Sequence, residues 1–326
     1  MKEHQLKMKT RILLTIGDYN GIGPEIILKT FKNKTITGKY YLTVIAPPEV
    51  LSYYSRKYKI KLFADDFDII PINTGKIKIA PGKLNAHAGF TAGTAIKTAV
   101  DLCMAGEYDA IVTAPVNKKS LNLGGFNFKG HTEMLTALSG VKDSCMVMLS
   151  DVLNIAFATT HPPVKKIASL ITPSFLASKF RICTEVLKNL GRITGEIGVL
   201  GLNPHAGDEG QIGDEEQKII IPAINRANKK NGKIKFSGPF SPDAFFATKK
   251  YRNFAFTFAM YHDQGFIPFK MLAGYKGTNF TAGLPFVRTS PDHGTAFDIA
   301  GKNTASPVSL IEAVKWADKL TRNRKK

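Results

Sequence analysis

Short β-branched runs, each closed by glycine, proline or threonine and followed by a helix-length stretch, recur along almost the whole chain. No other feature constrains the fold as much. RILLTIG (11–17), YLTVIA (41–46) and DAIVTAP (109–115) have the continuous apolar character of strands buried on both faces. Between them, PEIILKTFK sets Pro24 at a helix N1 position, and AGFTAGTAIKTAVDLCMAG (88–106) carries apolar or small residues at three- and four-residue spacing. The pattern continues through LNIAFATT (153–160), the helix SFLASKFRICTEVLKNLG (174–191) and the strand IGVLGL (197–202). The helix EEQKIIIPAINRANKK (215–230), with a break expected near Pro222, and the strand FAFTFAMY (254–261) follow. A last helix is predicted from Pro307 to Arg322, with Ser306 as its N-cap. This alternation predicts an α/β fold on a largely parallel sheet, and 326 residues suggest two domains. No low-complexity linker marks a boundary, so a discontinuous arrangement is compatible with the pattern.

Composition excludes several classes. At 44% apolar and 22% charged residues the chain can bury a sizeable core, which argues against disorder. No apolar run approaches a membrane span, and the start, MKEHQLKMKTR, has no apolar signal segment, so a cytoplasmic protein is expected. Cys103, Cys145 and Cys183 are far apart and form no CxxC pair, which fits a reducing compartment. The formal charge of +19 invites a nucleic-acid reading. The lysines, however, are scattered over helix-like segments such as 29–34 and 55–61, and no basic run interleaves with aromatics. A lysine-rich solvated surface is expected, with neither nucleic acid nor membrane as partner, and its field would help collect a phosphorylated substrate.

Three histidines follow strands directly: His161 after LNIAFATT, His205 after IGVLGLNP and His262 after FAFTFAMY. Carboxyl ends of strands are where ligands bind in open α/β sheets. Three imidazoles brought to one such edge would hold a divalent ion (zinc, magnesium, cobalt or manganese) and leave positions open for substrate. Asp263 either orients the His262 ring or caps a helix. A second group suits an anion: Lys129-Gly130-His131-Thr132-Glu133 opens a helix whose free amides face outward, and Lys270, Asn279 and Arg288 come later. GDYNGIGPE (17–25) is a tight strand-to-helix turn but neither GxGxxG nor a P-loop. In the polar loop 292–307, Asp292 and Asp298 either contact a ribose or cap turns.

The motifs IGDYNGIGPEI (16–26), VTAPVNKKSLN (112–122), GHTEMLT (130–136), TTHPP (159–163) and GLNPHAGDEG (201–210) occur in this order. They are followed by GPFSPDAFF (238–246), AMYHDQGFIPFK (259–270) and GLPFVRTSPDHGTAFDIAG (283–301). Together they resemble the 4-hydroxythreonine-4-phosphate dehydrogenase family of pyridoxal phosphate biosynthesis. The resemblance implies two α/β/α domains around a central cleft, as in isocitrate and isopropylmalate dehydrogenases, with no standard Rossmann unit. The expected domains are 10–140 with 285–326, carrying the cofactor loops, and 141–284, carrying metal ligands and dimer contacts. By position, the resemblance assigns His161, His205 and His262 to one divalent metal and His131, Thr132, Lys270, Asn279 and Arg288 to substrate. It puts NAD or NADP at His293, Gly294 and Asp298, and it implies a homodimer with a shared active site. Asp243 or Asp263 would be the base. The implied reaction is metal-assisted oxidation of 4-phosphooxy-L-threonine at C3, followed by decarboxylation. Phosphorylated threonate or erythronate is the alternative substrate, and a metal-dependent phosphoester hydrolase is a remoter one. One departure stands out: Tyr19-Asn20 occupy positions where the family commonly has Pro-Ala.

Overall fold

A computed structural model describes residues 9–61, 67–128, 130–230 and 232–325. Its strands are β1 (Arg11–Thr15), β2 (Tyr41–Ala46), β3 (Asp68–Pro71), β4 (Ala110–Thr113), β5 (Cys145–Leu149), β6 (Ile155–Phe157), β7 (Gly195–Leu200), β8 (Ile234–Phe240), β9 (Phe256–Ala259), β10 (Thr278–Ala282) and β11 (Val287–Pro291). The chain divides into two compact units: residues up to Lys142 together with Leu284–Lys325, and Asp143–Gly283.

In the first unit the strand order is β3-β2-β1-β4-β11, parallel throughout. Leu14 of β1 lies between Val44 and Val112, and this strand, flanked on both sides, is buried at every position past Arg11. In the second unit the order is β10-β5-β6-β9-β7-β8. Here β5 runs antiparallel to both β10 and β6, while β6, β9, β7 and β8 run parallel to one another. The core of this unit joins Met146, Ile155, Phe157, Leu200, Phe245 and Phe269.

The helices depart from the sequence reading in three places. The helix Gly23–Phe31 begins one residue early, so Pro24 takes its second position. Gly23 makes this possible, because a Cβ there would stand 2.6 Å from the Ile16 carbonyl oxygen. At Pro222 the chain does not break. A π-turn (Glu216–Ile220) passes directly into the α-helix Ile221–Lys230. The last helix, Val308–Arg324, has Pro307 rather than Ser306 as its N-cap residue, although the Ser306 hydroxyl still accepts from the Val308 amide at 3.4 Å. The small-residue face of Ala86–Met104 is explained by packing: a Cβ on Gly89 would collide with the Ser120 carbonyl, and one on Gly93 with the Phe126 ring. Among the described residues no helix is long and apolar enough to cross a membrane.

Candidate active site

The three histidines all belong to the second unit. His262 opens the helix His262–Ala273 just past β9, and Tyr261, not Asp263, is the N-cap residue. Asp263 instead turns to its neighbour, with Oδ1 2.6 Å from His262 Nδ1. That contact places the ring proton on Nδ1 and leaves Nε2 as the lone-pair donor. The His262 ring stacks on Phe266 at 4.2 Å, and the His161 ring lies 6.0 Å from it, centre to centre. Two imidazoles this close, one of them oriented by a carboxylate, suit a divalent ion. Among the described residues, however, no three His, Cys, Asp or Glu side chains are grouped closely enough to hold one.

His205 is carried on an unusual backbone. In the turn Pro204–Gly210, five successive residues from His205 to Glu209 have φ between 44° and 83°. Only one of the five is glycine. At roughly 1–2 kcal/mol for each non-glycine residue in left-handed conformation, this turn stores about 4–8 kcal/mol that its surroundings must offset. The side chain of Glu216, 1% exposed, lies against Gly207 of this turn and binds the two residues that lead into it. Its Oε1 accepts from the amides of Leu202 (2.6 Å) and Asn203 (2.8 Å), and its Oε2 accepts from Asn203 Nδ2 (2.9 Å). Gln264 ties the two histidine-bearing ends together: Oε1 accepts from the Met260 amide and Nε2 donates to the Gly201 carbonyl, both at 2.7 Å. Asp243, exposed on the helix Pro242–Ala247, is held below the usual carboxylate range, first by the Ser241 hydroxyl donating to it and, more weakly, by His205. Lys270 is exposed on the helix His262–Ala273, and Asn279 lies on β10 with its Oδ1 buried and unbonded.

In the first unit, Arg288 on β11 is 1% exposed and donates from Nη2 to Thr113 Oγ1 at 2.5 Å. Burial pulls its pKa down to about 9, so it is still a cation at neutral pH. His131 and Thr132 open the helix His131–Leu138. His131 Nε2 is shielded from solvent and has no hydrogen-bond partner. Burial, then the charges of Arg288 and Lys118, pull the His131 pKa down to about 3. A desolvated guanidinium, a neighbouring ammonium and a neutral imidazole at a helix N-terminus are groups whose chemistry suits an anion. Thr113 and Lys118 were not singled out from the sequence, although both sit within the 112–122 motif. Lys129 lies outside the described residues.

His293, Gly294 and Asp298 lie on the loop after β11, where His293 Nδ1 approaches the Gly294 carbonyl oxygen at 3.1 Å and Gly294 and Asp298 are exposed. Asp292 caps locally, since its amide and Oδ1 both pair with the Ser309 hydroxyl. The loop is anchored on the first glycine-rich turn. Ile22 donates its amide to the Thr295 carbonyl at 3.0 Å, and fully buried Glu25 accepts from the Ala305 amide and from Lys29 Nζ, both at 2.7 Å. Tyr19 and Asn20 fasten the same turn from the other side. Tyr19 hydroxyl meets His87 Nδ1 at 3.0 Å, and Asn20 accepts from the Ala80 amide (2.8 Å) and donates to the Lys83 carbonyl (3.0 Å).

Residues 27–317 match the family described as pyridoxal phosphate biosynthetic protein PdxA. The chain belongs to this family. It is 40% identical over 331 residues to the 4-hydroxythreonine-4-phosphate dehydrogenase of Prosthecochloris aestuarii, covering 95% of this chain and 97% of that one. It is 36% identical over 328 residues to the D-threonate 4-phosphate dehydrogenase of Salmonella typhimurium, covering 96% and 100%. The crystal structure of the 4-hydroxythreonine-4-phosphate dehydrogenase from Klebsiella pneumoniae superposes with a TM-score of 0.86 at 33% identity, over 96% of this chain and 98% of that one. A β-decarboxylating dehydrogenase from Thermococcus kodakarensis shares the fold alone, with a TM-score of 0.53 at 14% identity over 95% and 83% of the two chains. These PdxA relatives are dehydrogenases of phosphorylated substrates by name, so the redox reading stands ahead of the hydrolase one.

Proposed function

We propose that the protein oxidises the C3 hydroxyl of 4-phosphooxy-L-threonine with NAD as hydride acceptor. The product, 2-amino-3-oxo-4-phosphooxybutanoate, is a β-keto acid that loses carbon dioxide to give 3-amino-2-oxopropyl phosphate. The observation that carries this reading is the His161–His262 pair with Asp263 fixing the ring, because it presents imidazole nitrogen for a divalent ion. His205 would complete the ligand set. When bound, the ion supplies Lewis-acid polarisation of the hydroxyl and the dinucleotide supplies the hydride acceptor.

The chain's own residues do the rest. Arg288 and the first turn of His131–Leu138 grip the phosphate, with His131 entering as a neutral imidazole that can donate from one nitrogen while accepting at the other. Thr132, Lys270 and Asn279 add polar contacts to substrate. Of the two aspartates, Asp263 is committed to His262, which leaves Asp243, ionised beside His205, to receive the hydroxyl proton. His293, Gly294 and Asp298 bind NAD on a loop whose far end Glu25 holds through the Ala305 amide. A homodimer is part of this reading. Ile267 and Met271 on the helix His262–Ala273, and Tyr275 just past its end, are 58%, 82% and 88% exposed, an apolar patch fit for burial against a second copy.

Phosphorylated threonate is the second reading, favoured by the full-length match to the Salmonella enzyme. The two substrates differ at C2, amine against hydroxyl. The test is NADH formation from each, with and without a chelator. NADH from phosphooxythreonine that stops on chelation supports the first reading. NADH from phosphothreonate alone supports the second, and NADH undiminished by chelation rejects the metal.

A further inference from the structure

A groove in the second unit lies apart from every residue placed at the site above, and we propose that it binds a small aromatic phosphate. It runs between the helices Pro173–Asn189 and Ile221–Lys230 and has a volume of about 180 Å³. Its existence follows from side-chain size. The first helix lines it with Ala177, and the second lines it with Ala223 and Ala227, four residues apart and so on one helix face. With alanine at all three positions, neither helix has a side chain there long enough to fill the space between them. The floor is Phe180, 1% exposed, whose ring packs on Phe236 at 4.4 Å and Phe258 at 5.0 Å, centre to centre. It is an apolar surface held firmly in place.

The rim sets the charge of the ligand. Arg181, Arg226 and Lys230 line the groove and are exposed, and no carboxylate lines it. Arg226 and Lys230 stand four apart on one helix, a spacing at which like charges repel, and Arg181 adds a third cation from the facing helix. An anion entering there relieves that repulsion. Pro173, the first residue of its 17-residue helix, also lines the groove, so the positive end of the helix dipole lies there too. Two guanidinium forks suit the several oxygens of a phosphate better than a single point charge does. Size completes the match. A cavity of about 150 Å³ accepts benzene, so this one admits a single ring against Phe180 and leaves a phosphate among the cations. Inorganic phosphate would use only the rim; an aromatic phosphate uses rim and floor together.

The probe is phenyl phosphate, titrated by calorimetry into the full-length protein at constant ionic strength. Ala177→Phe fills the groove and leaves its charges in place, whereas Arg226→Glu reverses one charge and leaves the space open; both positions are exposed, so both variants should fold. Each is expected to lose one phenyl phosphate site, or to bind there at least tenfold more weakly, while Arg288→Met keeps that site. A site that survives in Ala177→Phe overturns the proposal, even if Arg226→Glu weakens it, because surface charge alone would then account for the binding. A wild type whose phenyl phosphate binding disappears entirely in Arg288→Met also overturns it. The outcome is separable from the reading of the first unit: binding unaltered in Arg288→Met but lost in both groove variants supports the groove and counts against a phosphate grip at Arg288. The ring has its own control. In Arg288→Met, inorganic phosphate should bind at least tenfold more weakly than phenyl phosphate, and equal affinities would refute an aromatic ligand.

Discussion

Acid should destabilise the first unit through His131, and replacing that residue with glutamine should remove the effect. The imidazole ordinarily titrates near 6.5, but in the folded protein burial and the charges of Arg288 and Lys118 lower its pKa to about 3. Between these two values the unfolded chain binds a proton that the folded chain refuses. Stability is therefore unaffected above the unfolded pKa and declines as pH falls below it, by about 1.4 kcal/mol per pH unit within the window. From pH 7 to pH 5 the loss amounts to about 2 kcal/mol. The single tryptophan gives the assay: Trp316 lies in the first unit, 6% exposed, on the helix Val308–Arg324. Urea unfolding followed by its fluorescence at both pH values should show the wild type losing about 2 kcal/mol more than His131→Gln. Equal losses in the two proteins would mean that His131 is protonated in the native state, and the neutral-imidazole account of the anion site would be wrong.

Arg288→Met should lower affinity for inorganic phosphate at least a hundredfold while leaving stability within about 1 kcal/mol, because removing the cation also removes its burial cost. Calorimetry and urea unfolding check the two halves, and a large destabilisation would contradict it. Glu25→Ala leaves the Ala305 amide buried without its acceptor, at a cost of about 1–3 kcal/mol. Its steady-state signature should be a raised KM for NAD with kcat at saturation little changed; an unaltered KM separates Glu25 from cofactor binding. Met271→Lys, within the apolar patch, should halve the molar mass seen by light scattering with folding intact. A wild type that is already monomeric would remove the dimer.

Much of this protein could be read from residue order alone. Strands β1, β2, β4, β7 and β9 are predominantly apolar and largely buried, and parallel sheets covered on both faces need such strands, so composition identifies them directly. The placing of His161, His205 and His262 after strands was equally legible, because a strand's end is a local property of the chain. Other strands were not legible, for a physical reason. β10 (TNFTA) and β11 (VRTSP) are rich in threonine and other polar residues, and their burial depends on neighbours remote in sequence. The same holds for the state of each functional side chain. That Arg288 is desolvated, that His131 is neutral and that Asp263 serves His262 rather than a helix end are consequences of what packs around them. Residue type names the chemistry available at a position, but electrostatic environment and backbone handedness arise only from contacts between distant segments. The carboxylate of Glu216 beneath the His205 turn belongs wholly to that second kind.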